Sequence, residues 1–272
     1  MKQCIRDPEE VNWSDYWKEK LKSKKDAKKD WNKAASKFHE RAKRDDYHEL
    51  LFSRLKITKE DTVLDLGCGE GSLTIPIAEM AKHVTGLDSS YKMLELLDEK
   101  VEKEGIDNID TILKDIEEID CEELGNYDVV IASRSLNSIE NIEKTIETID
   151  KIANKYVFIT YFGPDNWKIE KDFYKYINKE YNAFPDYNYL FNIIFNLGIY
   201  PNVERLDIKK YRRYKSVDEA MTNGKFRPQL LSSTERDKLR EYLEKTFKRD
   251  SENGTVFNEI DKADWIVFWW KK

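Results

Sequence analysis

Thr62-Val-Leu-Asp-Leu-Gly-Cys-Gly-Glu-Gly-Ser72 is the stretch that decides how this chain is read. Thr62 to Leu66 has the β-rich, apolar character of a strand buried on both faces. It runs straight into Gly67, Gly69 and Gly71 before a helical pattern begins. Glycines at such a turn supply positive φ and leave bare backbone for a ligand to approach. The helix that follows offers unpaired N–H groups. Asp65 narrows the choice of ligand, because a carboxylate two residues before the first glycine repels a pyrophosphate and suits an ammonium. The spacing Gly-x-Gly-x-Gly also departs from the Gly-x-Gly-x-x-Gly of dinucleotide-binding loops.

Downstream of this loop, strand patterns alternate with helical ones. Strands are expected at His83–Asp88, Asp110–Lys114, Tyr127–Ser133 and Tyr156–Phe162, and helices at about 72–81, 89–104 and 139–154, with Gly105 suited to end the second helix. Such alternation predicts a parallel sheet with helices on both faces. Upstream, Asp7-Pro-Glu-Glu reads as a helix start, and Trp13, Tyr16, Trp17 and Leu21 recur at helical spacing. Trp31, Ala35, Phe38 and Ala42 do the same, and a third helix passes through Tyr47, Leu50, Leu51 and Leu55. Residues 1–50 are therefore expected to form a helical cap and 51–272 the main α/β domain.

That domain carries two additions. An aromatic-rich helical insert is expected at about 165–198, broken near Pro185, and a helical insert at about 216–250, containing a Ser232-to-Glu235 capping box. Asn202–Tyr214 reads as one long strand and Asp264–Trp270 as the last.

The totals exclude several classes. A length of 272 residues is ample for a sizeable core. No run of about 18 apolar residues exists to span a bilayer, and the polar start lacks the apolar stretch of a secretion signal, so no membrane partner and a cytoplasmic location are expected. Three scattered cysteines and three scattered histidines predict neither a disulfide framework nor a metal site. The net charge of −6 argues against bulk coating of nucleic acid, although residues 1–44 hold 14 Lys/Arg against 8 Asp/Glu.

In open α/β sheets the ligand lies beyond the carboxyl ends of the strands, and polar residues stand at those ends here. Asp65 and the Gly67 carbonyl suit a methionine ammonium, and Cys68, Gly69 and Gly71 of the same loop are expected against the cofactor. Asp88, about 20 residues past the loop, suits both hydroxyls of a ribose. Asp115 and the Ile116 N–H suit the edge of an adenine, and Met93, four residues after Ser89, suits its flat face. Each has a plainer reading as a helix cap or core residue, Asp88 as N-cap of the next helix included. Together they point to S-adenosylmethionine, with S-adenosylhomocysteine as product.

On these residues the chain resembles the class I S-adenosylmethionine-dependent methyltransferases, in particular the broad group that includes quinone-biosynthesis enzymes. The resemblance rests on Val63–Gly71, Val84–Leu94 and Lys114–Ile116, and covers about residues 45–162. It implies a Rossmann-like, seven-stranded, mostly parallel sheet with the last strand inserted antiparallel between the fifth and sixth. Tyr127–Leu136 is similar to an uncharacterised prokaryotic subgroup, so the resemblance implies the cofactor and not the acceptor. Ala132-Ser-Arg-Ser-Leu136 stands where methyltransferases of nucleobase or glutamine amino groups carry Asp/Asn-Pro-Pro-Tyr/Phe, which disfavours that chemistry.

Methyl transfer from a sulfonium needs alignment and exclusion of water more than an obligatory catalytic group. Ser133 and Arg134, past the fourth strand, are expected near the methionine end, where Arg134 suits an anionic acceptor or a salt bridge. His39 is a candidate base or a surface histidine. Tyr16 and Trp31 are candidates to close over the cofactor or to pack the cap. Cap and aromatic insert together predict an enclosed, mostly apolar pocket for a small or medium organic acceptor. The rivals are an RNA or protein substrate bound through the basic front helix and Lys209–Tyr214, and a module that binds the cofactor without catalysis.

Overall fold

The computed structural model describes residues 11–22, 31–32 and 46–272. Its centre is a seven-stranded sheet of β1 (Thr62–Leu66), β2 (His83–Asp88), β3 (Ile109–Leu113), β4 (Tyr127–Ser133), β5 (Ala153–Phe162), β6 (Asn202–Leu206) and β10 (Trp265–Lys271), in the order β3-β2-β1-β4-β5-β10-β6. β1 pairs in parallel with β2 and with β4, whereas β10 runs antiparallel to both β5 and β6. The chain leaves β1 in one direction for β2 and β3, then returns for β4 and β5. This reversal opens a crevice at the carboxyl ends of β1 and β4.

Alternation along the strands divides the interior into two layers. Leu64, Val130, Val157, Ile159, Ile266 and Phe268 face one side with Trp17, Ile146 and Leu190. Val63, Val129, Ile131, Phe158 and Val267 face the other with Tyr47, Leu51 and Ile77. Full burial of each such side chain stabilises the fold by about 1.5–3 kcal/mol, which explains why these strands read as unbroken apolar runs. The first helix, Trp13–Lys22, is anchored where Trp17 Nε1 donates to the Ile139 carbonyl at 2.7 Å. The proposed helix start at Asp7 and the helical face through Ala35, Phe38 and Ala42 lie outside the described residues.

The expected single strand over 202–214 is two strands. β6 ends at Leu206 because its neighbour β10 begins opposite, at Trp265, and offers no partner beyond. After a turn at 207–210 the chain forms β7 (Tyr211–Tyr214), which joins β8 (Lys248–Arg249) and β9 (Val256–Lys262) in a separate sheet ordered β7-β9-β8. β8 and β9 carry no sequence expectation, since charged residues and a turn interrupt both runs.

Phe173, Tyr214, Phe226, Leu239, Tyr242 and Val256 form a third core, so the small sheet packs with helices Lys168–Tyr176 and Ser233–Thr246 into one covering unit. The aromatic insert is therefore divided between two sites. Its first helix joins this cover, while its second, Tyr187–Asn196, lies against Trp13–Lys22 and the main sheet. Among the described residues no helix is long and apolar enough to cross a membrane.

The two sheets meet at Asp264, between β9 and β10. Its carboxylate accepts from Arg205 Nε at 2.6 Å and from the Asp165 amide at 2.8 Å, and its carbonyl accepts from Gly163 N at 2.9 Å. A Cβ on Gly163 would lie 2.2 Å from Asp264 Oδ2, so glycine is required there for close approach.

Candidate functional site

A cavity of about 830 Å³ lies over the carboxyl ends of β1, β2, β3 and β4. The loop after β1 forms its floor. Gly67 N and Cys68 N both donate to the Leu87 carbonyl, at 2.6 and 3.1 Å, which draws the loop against β2. Gly67, Gly69 and Gly71 all have positive φ, at 75°, 57° and 83°. Their surroundings differ. A Cβ on Gly67 would lie 2.4 Å from Ser135 Cβ and one on Gly71 2.3 Å from Leu97 Cδ1, whereas one on Gly69 would meet nothing within 4 Å. Gly69 is thus the bare backbone facing open space, and Gly71 is a packing position that does not line the cavity, contrary to its expected place beside a ligand.

Asp65, Gly67, Cys68, Gly69, Asp88, Ser89, Met93, Asp115, Ile116 and Ser133 all line the wall as the sequence predicts. Asp65 is buried and accepts from Thr74 Oγ1 at 2.7 Å. Burial and the neighbouring Asp88 charge push its carboxyl up to about 7. The Asp88 carboxyl is also raised, chiefly by burial, against the opposing effect of bonds from the Ser90 and Gly69 amides. Burial next to these two acids holds the Cys68 thiol neutral. Asp88 does not cap the next helix. Ser90 does, accepting from Met93 N, and Asp88 orients Ser90 through its amide at 2.8 Å. Asp115 accepts from Glu117 N at 3.0 Å and so starts the short turn that carries Ile116 to the wall.

Trp31 lines the cavity, and Asn32 beside it accepts from Ser90 Oγ at 2.8 Å. Tyr16 does not line it. Exposed by 46 %, it packs at a ring distance of 6.3 Å on Trp13 while its neighbour Trp17 takes the buried position. His39 lies outside the described residues.

Arg134 lines the wall in a left-handed backbone conformation, φ 58°, which costs a non-glycine residue of the order of 1 kcal/mol. Its amide donates to Thr160 Oγ1 at 3.0 Å and its guanidinium lies 4.0 Å from the centre of the Tyr47 ring. Tyr47 is itself fixed by Ser133 Oγ at 2.7 Å and Thr160 Oγ1 at 2.5 Å. His48 Nε2 stands 3.5 Å from the same guanidinium.

The opposite wall comes from Lys210–Tyr214, the turn Asn223-Gly-Lys225, Ala263 and Trp265. Of these, the sequence singles out only Lys210–Tyr214, within the segment Lys209–Tyr214 for an RNA or protein substrate, and the other three give no sequence signal of a site. The roof is therefore the small sheet, not the aromatic insert expected there. Trp167 packs on Phe162 at 4.8 Å and on Phe184 at 6.2 Å, and Phe173 enters the third core. The roof is also charged where apolar residues are expected. Lys210, Arg212, Arg213 and Lys225 line it, with Arg212 paired to Asp261 at 2.8 Å and Arg213 to Asp250.

Comparison with known proteins agrees with this geometry. A family described as a methyltransferase domain matches residues 57–223. The chain belongs to the methyltransferase family. The methyl donor of this family is S-adenosylmethionine. An uncharacterised protein of Haemophilus influenzae is 27 % identical over 243 residues, covering 88 % of each chain. The (S)-tetrahydroprotoberberine N-methyltransferase of Eschscholzia californica is 36 % identical over 98 residues, 35 % of this chain and 27 % of that one. The fold is shared with the YcgJ protein of Bacillus subtilis, at a TM-score of 0.54 and 12 % identity over 83 % of this chain and 97 % of that one.

The residues present fit S-adenosylmethionine. Gly69 offers backbone without a side chain, and Asp65, Asp88, Asp115 and Glu117 give the loop end of the cavity an excess of carboxylates suited to a cationic nucleoside.

Proposed function

We propose that this methyltransferase acts on a small or medium organic acceptor held between the strand tips and the small sheet. The observation that carries this reading is the continuity of the cavity, whose wall runs from Asp88 and Asp115 to Trp265 and Lys225. At the first end, Asp65 and the Gly67–Gly69 backbone hold the methionine ammonium and Asp88 the ribose hydroxyls. Asp115 and the Ile116 N–H take the adenine edge, and Met93 packs on its face. When bound, S-adenosylmethionine supplies a methyl group already activated by its sulfonium. The chain then has to align the acceptor and exclude water. Tyr47, Ser133 and Thr160 fix Arg134 beside that point.

The position of Lys210–Tyr214 disfavours the polymer reading. These residues line the cavity, and Arg212 and Arg213 are engaged by Asp261 and Asp250 instead of forming an open basic surface. Small-molecule acceptors are also named for relatives such as the Eschscholzia enzyme, although that match spans 27 % of its length.

Two measurements test the proposal. Calorimetry with S-adenosylmethionine is expected to show one site per chain, and labelled methyl groups from it, added to a cell extract with the protein, are expected in the small-molecule fraction. Counts confined to RNA or protein would overturn the choice of acceptor class.

A further inference from the structure

We propose that the acceptor carries a carboxylate, held at the roof by Lys225 and the indole N–H of Trp265. This rests on the acceptor reading just given and adds the charge of the molecule.

The cavity is electrically divided. Its four acids, Asp65, Asp88, Asp115 and Glu117, all belong to β1–β3 and their loops, where a sulfonium nucleoside is expected. Its roof carries cations and no acid, because Asp261 and Asp250, which neutralise Arg212 and Arg213, do not line the cavity. Lys225 is a roof cation without a direct ion pair among the described residues, although the buried Glu170 carboxylate interacts with it electrostatically. Its Nζ donates to the Asn166 carbonyl, and among the described residues no carboxylate lies within ion-pairing distance of it. Burial and the Arg212 charge push Lys225 down to about 8, with Glu170, Asp261 and Asp264 acting in the opposite direction from their positions around it.

One further group favours a ligand that accepts a hydrogen bond. Trp265 Nε1, a donor only, is a buried polar atom without a hydrogen-bond partner among the described residues, and Trp265 lines the cavity. A buried N–H left alone carries a desolvation cost that an incoming acceptor recovers. Asn166 bonds both Lys225 and the backbone next to Trp265. Its carbonyl takes the lysine, and its side-chain oxygen accepts at 3.4 Å from the amide of Asp264, the residue before Trp265. An ionised carboxylate is acceptor-only, and its bonds to a cation are about twice as strong as neutral ones.

The test uses the full chain saturated with S-adenosylhomocysteine and three planar probes: benzoate, benzamide and benzylamine. Calorimetry is expected to show benzoate binding at least about tenfold more tightly than either of the others. Its affinity is expected to fall as pH rises past about 8, where Lys225 loses its proton. Lys225→Met should abolish the preference and the pH dependence, and Lys225→Arg should restore the preference. Equal binding of the probes, preference for benzylamine, or no benzoate binding while S-adenosylhomocysteine binds normally overturns the proposal. So does a preference that survives Lys225→Met. If that variant fails to fold, the wild-type probe series and its pH dependence decide. Failure to bind S-adenosylhomocysteine at all would instead remove the underlying reading of the site.

Discussion

The Asp88 carboxylate accepts a hydrogen bond from the Gly69 amide at 2.9 Å, so the last residue of β2 holds the tip of the glycine loop that follows β1. Its other oxygen takes the Ser90 amide at 2.8 Å. Each oxygen keeps a lone pair for a ligand hydroxyl, so Asp88 both shapes the loop and faces the cavity.

Replacing Asp88 by Ala is therefore expected to weaken S-adenosylmethionine binding by at least about tenfold, the loss of one charge-assisted hydrogen bond. Calorimetry measures it. Unchanged affinity would reject the role given to this residue.

Asp65 couples binding to stability. Its carboxyl is raised from 3.8 to about 7, so between these values the folded chain holds a proton that the unfolded chain has lost. Stability therefore falls as pH rises through this window. Asp65→Asn, which keeps an oxygen for Thr74, is expected to be more stable than the parent above pH 7 by a few kcal/mol in order of magnitude. The two should converge near pH 4. The same variant is expected to lose cofactor binding by tenfold or more. Denaturant melts at pH 4 and pH 8, each with and without S-adenosylmethionine, read both effects.

Gly69→Val separates ligand from fold. The new side chain meets no protein atom near its Cβ, and its cost in the apo protein is the positive φ of 57°, roughly 1–2 kcal/mol. Thermal melting should show a folded protein, and a titration should show no uptake of cofactor. Retained uptake would move the ligand away from this loop.

Gly163→Ala tests the junction of the two sheets. The added methyl group overlaps the Asp264 carboxylate, which Arg205 and the Asp165 amide hold in place. A loss of roughly 1–3 kcal/mol is expected for such overpacking. Arg205→Ala, which frees one side of that carboxylate, should make the glycine substitution less costly, and a double-mutant cycle of unfolding energies measures the coupling.

The cofactor end of the molecule was readable because local patterns specify it. Val63–Leu66, Gly67–Gly71, Asp88 and Asp115 announce a buried strand, a turn and two strand-end acids, and from them Asp65, Gly67, Cys68, Gly69, Asp88 and Asp115 line the cavity. The sheet order followed from the resemblance these residues carry, including the antiparallel place of β10. The acceptor end was not readable in the same way. Trp265 looks like a strand residue packed in a core, and Lys225 looks like a surface turn beside Gly224. Their meeting in one wall depends on the break after Leu206 and on the pairing of Tyr211 with Lys262, contacts that span about 50 residues and leave no short-range periodicity. Tyr16 and Trp17 show the complementary limit. Adjacent aromatic residues on one helix read alike, and only the packing decides that Trp17 is buried.

The way the cover is attached has a consequence for variation among related chains. The small sheet is tied to the large one by two neighbouring threads, the turn from Leu206 to Tyr211 and the Ala263-Asp264 bend, and it shares its own core with the helix Lys168–Tyr176 that continues from β5. Substitutions in Tyr211, Lys225 or the strands around them can thus retune what is recognised while the nucleoside socket stays as it is. The molecule behaves as a fixed handle with an exchangeable head, and diversification of its chemistry is expected to concentrate in the head.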